Sequence, residues 1–247
     1  MKQISKLAVY VAMGLGAHVG AQQPEPLRFL VSSAWSMPYG DIQADRMMGG
    51  IVFDMAQAIG ESTKLPVSFL VMPRNRTDAA VLAGDVDVRC YSNPAWTKVP
   101  EAHLWSKPLF DAPDVIVGRA SEPPLSGIDQ IPAGTPIGMV LGFVYPALDD
   151  RVARGSLVRD NAGDQEKNLL KLSVGRFPYA VANGRVVDWY NRQNPKAGLA
   201  KWQLSMGKSE FYCGVVKSAR TDPQRILAAI ERLKSSGRLE NILVKYR

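Results

Sequence analysis

Histidine and cysteine are scarce in this sequence, whose 247 residues include two of each. His18 lies in an N-terminal segment that we expect to be removed, so His103 is left to serve any Ser-His-Asp or Cys-His arrangement. No GxSxG, HExxH or phosphate-loop motif occurs. These absences argue against nucleophilic catalysis and zinc chemistry, and we expect neither a metal nor a cofactor.

The sequence also lacks long runs of one charge. Its 30 basic and 23 acidic residues give a formal net charge of +7, but they are interspersed, and no run of four basic residues occurs. Neither a zinc-binding nor an RNA-binding motif is present. We therefore expect no nucleic-acid partner. The modest basic excess favours anionic ligands or a negatively charged membrane surface through long-range steering.

The N-terminus holds the one uncharged apolar stretch that is longer than a core element. Two lysines precede an apolar run over residues 7–19, and small residues at 19–21 form a cleavage site. A buried helix is the alternative, but polar and proline residues follow at once from Gln22. The sequence predicts a cleavable signal peptide over residues 1–21 and a periplasmic product. No cysteine precedes Cys90, which excludes a lipid anchor attached at a cysteine behind the signal.

The even number of cysteines favours a disulfide between Cys90 and Cys213 in an exported protein. Two buried thiols are the alternative, and the residues alone do not show that the two side chains meet. A bridge closing so long a loop would stabilise the fold by about 4 to 5 kcal/mol in the chain-entropy model.

Hydrophobic residues make up 46% of the chain and charged residues 21%, which is typical of a folded α/β protein. Strands are predicted over residues 27–31, 67–71, 86–90, 136–140 and 177–182. Helices are predicted from residue 50, over 77–82 and 166–172, from 186, and from 223 with a break at 237. The alternation at the start predicts a parallel sheet with helices on its faces.

Five short segments resemble one known family in order and spacing. They are Gly50–Met55, Leu82–Asp87, Trp105–Leu109, the pair Gly175-Arg176, and Ser235–Leu239. Each alone also fits an ordinary helix cap, helix end or loop. Together they resemble the amino-acid type (family 3) of extracytoplasmic solute-binding proteins, the bilobal receptors of bacterial ABC importers.

This resemblance implies an α/β fold of the type II periplasmic-binding-protein kind, with two α/β lobes joined by two hinge strands. Lobe one would comprise residues 24–115 and 211–247, and lobe two residues 116–210. Hinge strands would lie at 114–118 and 211–216. The returning strand would lie beside the third strand, which supports the disulfide.

The resemblance also places the ligand between the lobes, at the carboxyl ends of strands. The candidate ligand-binding residues are Trp35, Tyr39, Arg76, Ser92, Asn93, Trp96, Gly142, Phe143, Tyr145 and Asn183. For each aromatic residue, packing against the protein is the alternative role.

Two positions depart from the pattern of the family. Trp96 stands where the family has an arginine for the α-carboxylate, and Asn183 where it often has an aspartate for the ammonium group. Both changes argue against a plain α-amino acid as the ligand. Arginines that could bind an anionic group from another loop are Arg74, Arg76, Arg89 and Arg159.

We therefore expect a monomeric, non-enzymatic periplasmic receptor that traps a small polar or aromatic solute and presents it to an ABC permease. One alternative is a dehydratase-like enzyme on the same fold that acts on prephenate-like acids. Another is a ligand sensor for a membrane kinase.

Overall fold

A computed structural model describes residues 24–247, so the predicted signal peptide lies outside the described residues. The strands are β1 Leu27–Ser32, β2 Asp41–Gln43, β3 Arg46–Gly49, β4 Val67–Met72, β5 Val88–Ser92, β6 His103–Trp105, β7 Phe110–Asp111, β8 Asp114–Gly118, β9 Thr135–Val140, β10 Leu157–Ala162, β11 Tyr179–Asn183, β12 Leu204–Ser205 and β13 Glu210–Val216. The helices are α1 Ile51–Thr63, α2 Thr77–Leu82, α3 Pro146–Ala153, α4 Gln165–Ser173, α5 Gly184–Gln193, α6 Pro223–Ser235 and α7 Arg238–Lys245. Within this part of the chain, no helix is both long and apolar enough to cross a membrane.

The strands form two main sheets and a small hairpin of β2 and β3. The first sheet has the order β4-β1-β5-β13-β6, with β7 paired to β13, and the second has the order β10-β9-β11-β8-β12. We call the first sheet with α1, α2, α6 and α7 lobe one, and the second sheet with α3, α4 and α5 lobe two. The mixed α/β architecture with two lobes agrees with the predicted fold class.

The chain changes lobes twice. It leaves the first sheet before β8, which pairs with β11 and β12 in the second sheet, and returns with β13. The sheet to which each strand belongs is compatible with lobe one at 24–115 plus 211–247 and lobe two at 116–210. The exact lobe boundaries remain a prediction. Most predicted elements lie within two residues of their expected positions.

The disulfide prediction is confirmed. Strand β13 runs antiparallel to β5, as expected for the returning strand. Cys90 on β5 and Cys213 on β13 are bonded, with their Cα atoms 4.0 Å apart. The alternative of two buried thiols is wrong. The disulfide therefore links β13, in the last part of the chain, to β5, the strand that ends at the cleft.

Glycine at position 50 fixes the loop of lobe one that faces the cleft. Its φ angle of 108° is in the region that favours glycine, and a Cβ atom there would lie 2.7 Å from the carbonyl oxygen of Tyr39. That carbonyl accepts a hydrogen bond from the N–H of Val52 in α1. The start of α1 therefore holds the loop that carries Trp35 and Tyr39.

Strand β10 and helix α3 were not predicted from the sequence. Strand β10 lies at the edge of the second sheet and carries Arg159, Asp160 and Asn161 in succession. An edge strand tolerates such polar residues, so the hydrophobic pattern gives little signal there.

Candidate functional site

A cavity of about 60 Å³ lies between the lobes, which is room for a few water-sized groups. Its lobe-one side is formed by residues of β1, β5 and β13, by residues in the loops after β1 and β5, and by Arg74 and Thr77 after β4. Phe143 and Val144, in the loop after β9, form its lobe-two side, and Asp114 lines it at the start of β8. The cavity therefore lies where strand ends of both lobes meet, as the resemblance implies.

Aromatic rings dominate the wall of the cavity. Tyr91 stacks on Phe211, with the ring centroids 4.6 Å apart, and meets Trp35 edge-on at 5.3 Å. Trp96 contacts Phe211 edge-on at 5.2 Å. Tyr91 has a φ angle of 50°, an uncommon conformation for a residue with a side chain. This conformation follows directly on Cys90, so the disulfide-linked strand holds the ring in the wall.

Arg74 supplies a positive charge that has no carboxylate partner within 4.0 Å in residues 24–247. Its Nη1 donates to the Thr77 hydroxyl at 2.9 Å, and its Nη2 donates to the Trp96 carbonyl oxygen. Burial, with a smaller contribution from neighbouring Arg89, lowers the pKa of Arg74 to about 10. The guanidinium stays charged at neutral pH and is free to bind an anion.

Arg89 also lines the cavity, but its charge is balanced. It forms an ion pair of 2.8 Å with Asp78, which accepts further hydrogen bonds from the Thr97 hydroxyl and the Lys98 N–H. These donors hold the pKa of Asp78 below its usual range despite the opposing effect of burial. Arg89 is therefore a less suitable anion site than Arg74.

Two further polar groups of the cavity have few or no hydrogen-bond partners in the described part of the protein. Ser92 is 2% exposed, and its hydroxyl has no hydrogen-bond partner in the described part of the chain. Burial raises the pKa of the Asp114 carboxyl to about 6, and the amide of Asn183 opposes that rise only weakly, at 3.5 Å. A polar ligand between the lobes would supply the hydrogen bonds that these two groups lack.

Four of the predicted site residues line the cavity, namely Trp35, Ser92, Trp96 and Phe143. Gly142 lies beside them, with its Cβ position 3.5 Å from the Cβ of Arg74. Arg76 is exposed and does not line this cavity. Ligand binding by these residues stays a prediction.

The other predicted site residues lie behind the wall and bond to the protein. Tyr39 is fully buried and donates from its hydroxyl to Asn183 Oδ1 at 2.9 Å. The hydroxyl of Tyr145 accepts from the backbone N–H of Val140 at 3.2 Å. Asn93 accepts from the N–H of Ala95 at 2.9 Å. Tyr39, Tyr145, Asn93 and Asn183 therefore shape the wall or its support, and none of them lines the cavity.

Seven lining residues were not proposed from the sequence, and two lining arginines, Arg74 and Arg89, were among four candidates; the seven are Leu30, Ser32, Thr77, Tyr91, Asp114, Val144 and Phe211. Asp114 was treated as a hinge residue, and neither Tyr91 nor Phe211 was proposed. A charged residue at the start of the buried strand β8 was the available signal for Asp114. Arg74 was one of four candidate arginines, and the sequence gives no sign that Arg89 is paired while Arg74 is not.

The lobes are in contact around the cavity. The backbone N–H of Glu166 donates to the hydroxyl of Ser36 at 3.1 Å, and Tyr39 bonds to Asn183 as described above. Gln165 Nε2 donates to the Tyr91 hydroxyl at 3.5 Å. The structure therefore represents a closed arrangement in which lobe two touches the aromatic wall of lobe one.

No protein-family model matches the chain, and no curated protein matches its sequence. Solved structures do match it. An ancestral arginine-binding protein bound to arginine has a TM-score of 0.75 at 20% identity, over 91% of this chain and 99% of that one. A histidine kinase sensor domain with similarity to periplasmic binding proteins has a TM-score of 0.73 at 20% identity, over 91% and 96%.

The arginine-, lysine- and histidine-binding protein ArtJ of Geobacillus stearothermophilus has a TM-score of 0.69 at 15% identity, over 90% of this chain and 95% of that one. At these identities the likeness shows the fold. The bilobal periplasmic-binding-protein-like fold predicted from the sequence is confirmed.

Proposed function

We propose that the protein is a solute-binding receptor that closes two lobes around a small solute and delivers it to an ABC importer. The observation that carries this proposal is the guanidinium of Arg74, which has no carboxylate partner, in an aromatic cavity between the lobes. An anionic group on the solute would complete the hydrogen bonding of Arg74, and the aromatic wall would pack against the rest of it. The structural neighbours that bind amino acids support this use of the fold.

Closure of the two lobes would allow a partner protein to distinguish the receptor with bound solute from the empty receptor. The solute would contact Arg74 on lobe one and Phe143 on lobe two only when the lobes are together. Since a ligand shifts a conformational equilibrium by its difference in affinity for the two states, the solute would favour the closed state. A membrane permease that distinguishes closed from open receptor would then receive loaded protein.

Export to the periplasm is part of the proposal. It rests on the signal-peptide pattern of residues 1–21 and on the likeness in fold to a sensor domain that is itself similar to periplasmic binding proteins. Mass spectrometry of protein from the periplasmic fraction should find a chain that begins at Gln22. Recovery of periplasmic chains that still begin at Met1 would contradict it.

A sensor for a membrane kinase is the second candidate, because a histidine kinase sensor domain is among the structural neighbours. Sensor and importer receptor use the same binding chemistry and differ in the membrane protein they contact. Crosslinking of the closed protein in its own membranes separates them, since a permease identifies the importer and a kinase identifies the sensor.

The proposal is tested first by a thermal-shift screen of the mature protein with amino acids, polyamines, aromatic carboxylates and sugar acids. We expect at least one compound with an anionic group to raise the melting temperature and to be recovered unchanged by mass spectrometry. Stabilisation by no anionic compound would contradict the proposal. Conversion of a bound compound into a dehydrated product would favour the enzyme alternative instead.

A further inference from the structure

Two tyrosines of lobe one are stacked at the point where lobe one meets lobe two. The ring centroids of Tyr39 and Tyr91 are 3.9 Å apart, and the ring planes differ by 19°. The Tyr39 hydroxyl donates to Asn183 Oδ1 at 2.9 Å, and the Tyr91 hydroxyl accepts a long hydrogen bond from Gln165 Nε2 at 3.5 Å. Gln165 Oε1 in turn accepts from the N–H of Asn183 at 2.6 Å. The stacked tyrosines therefore contact two linked residues of lobe two in the closed protein.

The backbone at Tyr91 forms a β-bulge between β5 and β13. At this irregularity, Cys90 and Tyr91 of β5 lie opposite Cys213 of β13 alone. Bulges commonly redirect a side chain beside a functional site. The φ angle of 50° at Tyr91 is rare for a residue with a side chain and persists only where the surrounding structure enforces it. The bulge therefore sets the direction of the Tyr91 ring, which packs against Tyr39.

The disulfide crosses this bulge. Cys90 directly precedes Tyr91, and Cys213 is the residue opposite, so the bond fixes both strands at the same point. The bulge and the disulfide lie entirely within lobe one, so the constraint acts whether the lobes are apart or together. Without the bond, Tyr91 is free to relax in the open protein, and closure of the lobes has to restore its conformation.

We propose that the Cys90–Cys213 disulfide is a positioning element for closure of the lobes. It holds Tyr91, and through the stacked ring Tyr39, in the arrangement that lobe two binds. The bond therefore favours the closed state in addition to stabilising the fold against unfolding. This inference goes beyond the proposed function, because it concerns the equilibrium between open and closed protein and needs no solute.

Small-angle scattering of the unliganded mature protein tests the inference, since the radius of gyration reports the ratio of closed to open molecules. The pair Cys90→Ala/Cys213→Ala is measured alone, together with Tyr39→Phe and together with Ser36→Ala. Tyr39→Phe removes the hydroxyl that the disulfide positions. Ser36→Ala is the matched control, because the bond from Glu166 to Ser36 joins the lobes without either tyrosine. Circular dichroism checks that each variant is folded.

We expect removal of the disulfide to lower the ratio of closed to open molecules about tenfold, as the cost of a left-handed conformation at a non-glycine residue implies. A drop of similar size should occur in the Ser36→Ala background, because the two effects are independent. In the Tyr39→Phe background the ratio should change by less than about twofold, since the hydroxyl that the disulfide positions is already absent.

Equal ratios with and without the disulfide would overturn the inference. An equal drop in the Tyr39→Phe and Ser36→Ala backgrounds would also overturn it, because the disulfide would then only tighten lobe one in general.

A second variant decides the matter if the alanine pair does not fold. Tyr91→Gly keeps the disulfide and adopts the φ of 50° without strain, but it removes the ring that packs against Tyr39. Opening of Tyr91→Gly in the Ser36→Ala background but not in the Tyr39→Phe background supports the inference. Any other result with this variant contradicts it.

Discussion

The hydroxyl of Ser36 in lobe one accepts a hydrogen bond of 3.1 Å from the backbone N–H of Glu166, in the first turn of α4 in lobe two. First-turn N–H groups lack partners within their own helix, so this bond satisfies a donor that an open protein exposes to water. Ser36 thus stabilises closure without lining the central cavity.

Ser36→Ala should shift the unliganded protein toward the open state. Loss of one such bond costs about 1 kcal/mol, which changes the ratio of closed to open molecules about fivefold. Small-angle scattering should record a larger radius of gyration. Ser33→Ala is the control, because the Ser33 side chain has no hydrogen bond within residues 24–247. An equal shift in both variants would assign the effect to the loop rather than to the bond.

Ser92→Ala should leave stability within about 0.5 kcal/mol of wild type or raise it slightly, because the mutation removes a buried hydroxyl that has no partner in the described structure. Ser106 is the matched contrast. It is also buried, but its hydroxyl donates to the Lys107 carbonyl oxygen at 2.8 Å and accepts from the Cys213 N–H at 3.1 Å. Ser106→Ala should cost about 1 to 3 kcal/mol in urea unfolding. Similar losses in both variants would show that Ser92 is bonded in solution.

Gly138→Ala should destabilise lobe two by about 3 kcal/mol through overpacking. A Cβ at this position of β9 would lie 2.2 Å from the Phe177 ring and 2.4 Å from Asn168 Oδ1. Gly163→Ala is the control, since nothing lies within 4 Å of its Cβ position. Urea unfolding of the two variants checks the packing, and a stable Gly138→Ala protein would show that helix α4 can move away from the sheet.

Stability should depend on pH through Asp114. Its pKa of about 6 in the folded protein is above the ordinary value of 3.8, so the unfolded chain loses this proton first as pH rises. The contribution of this carboxyl to the free energy of unfolding therefore falls between about pH 4 and pH 6. Above that range the contribution stays constant and unfavourable to folding. Asp114→Asn should be more stable than wild type by about 1 to 3 kcal/mol at pH 7.5 and equal to it near pH 4.

Urea unfolding at both pH values measures the difference, with Asp129→Asn as the control. Comparison between variants also cancels the titration of His103, whose pKa burial lowers. A difference that is the same at pH 4 and at pH 7.5 would contradict a buried, unpaired carboxyl at position 114.

Much of the fold follows from local pattern. Helix α1 buries Val52, Met55, Ala56 and Ile59, the stripe that its sequence spacing predicts. The disulfide followed from two cysteines in a chain that we expect to be exported, together with the strand order that the resemblance implied. The helix could be predicted from the spacing within one segment, and the disulfide from a known strand topology.

The site was less predictable because it depends on side chains from distant segments. The sequence does not show that Asp78 neutralises Arg89 and leaves Arg74 free, since that ion pair joins helix α2 to strand β5. It does not show that Tyr39 turns its hydroxyl to Asn183 instead of to the ligand. The sequence therefore predicted where the cleft lies. Which side chains face the cleft depends on how the two lobes pack, and the sequence did not predict that.

The central claim is that a solute binds between the lobes through Arg74. The most direct measurement is calorimetric titration of the best compound from the thermal-shift screen into wild type, Arg74→Gln and Arg76→Gln. Arg76 is exposed and does not line the cavity, so its variant changes the same charge at a neighbouring position. The account predicts wild-type affinity in Arg76→Gln and a loss of about tenfold or more in a folded Arg74→Gln. Equal affinities in all three proteins would contradict it.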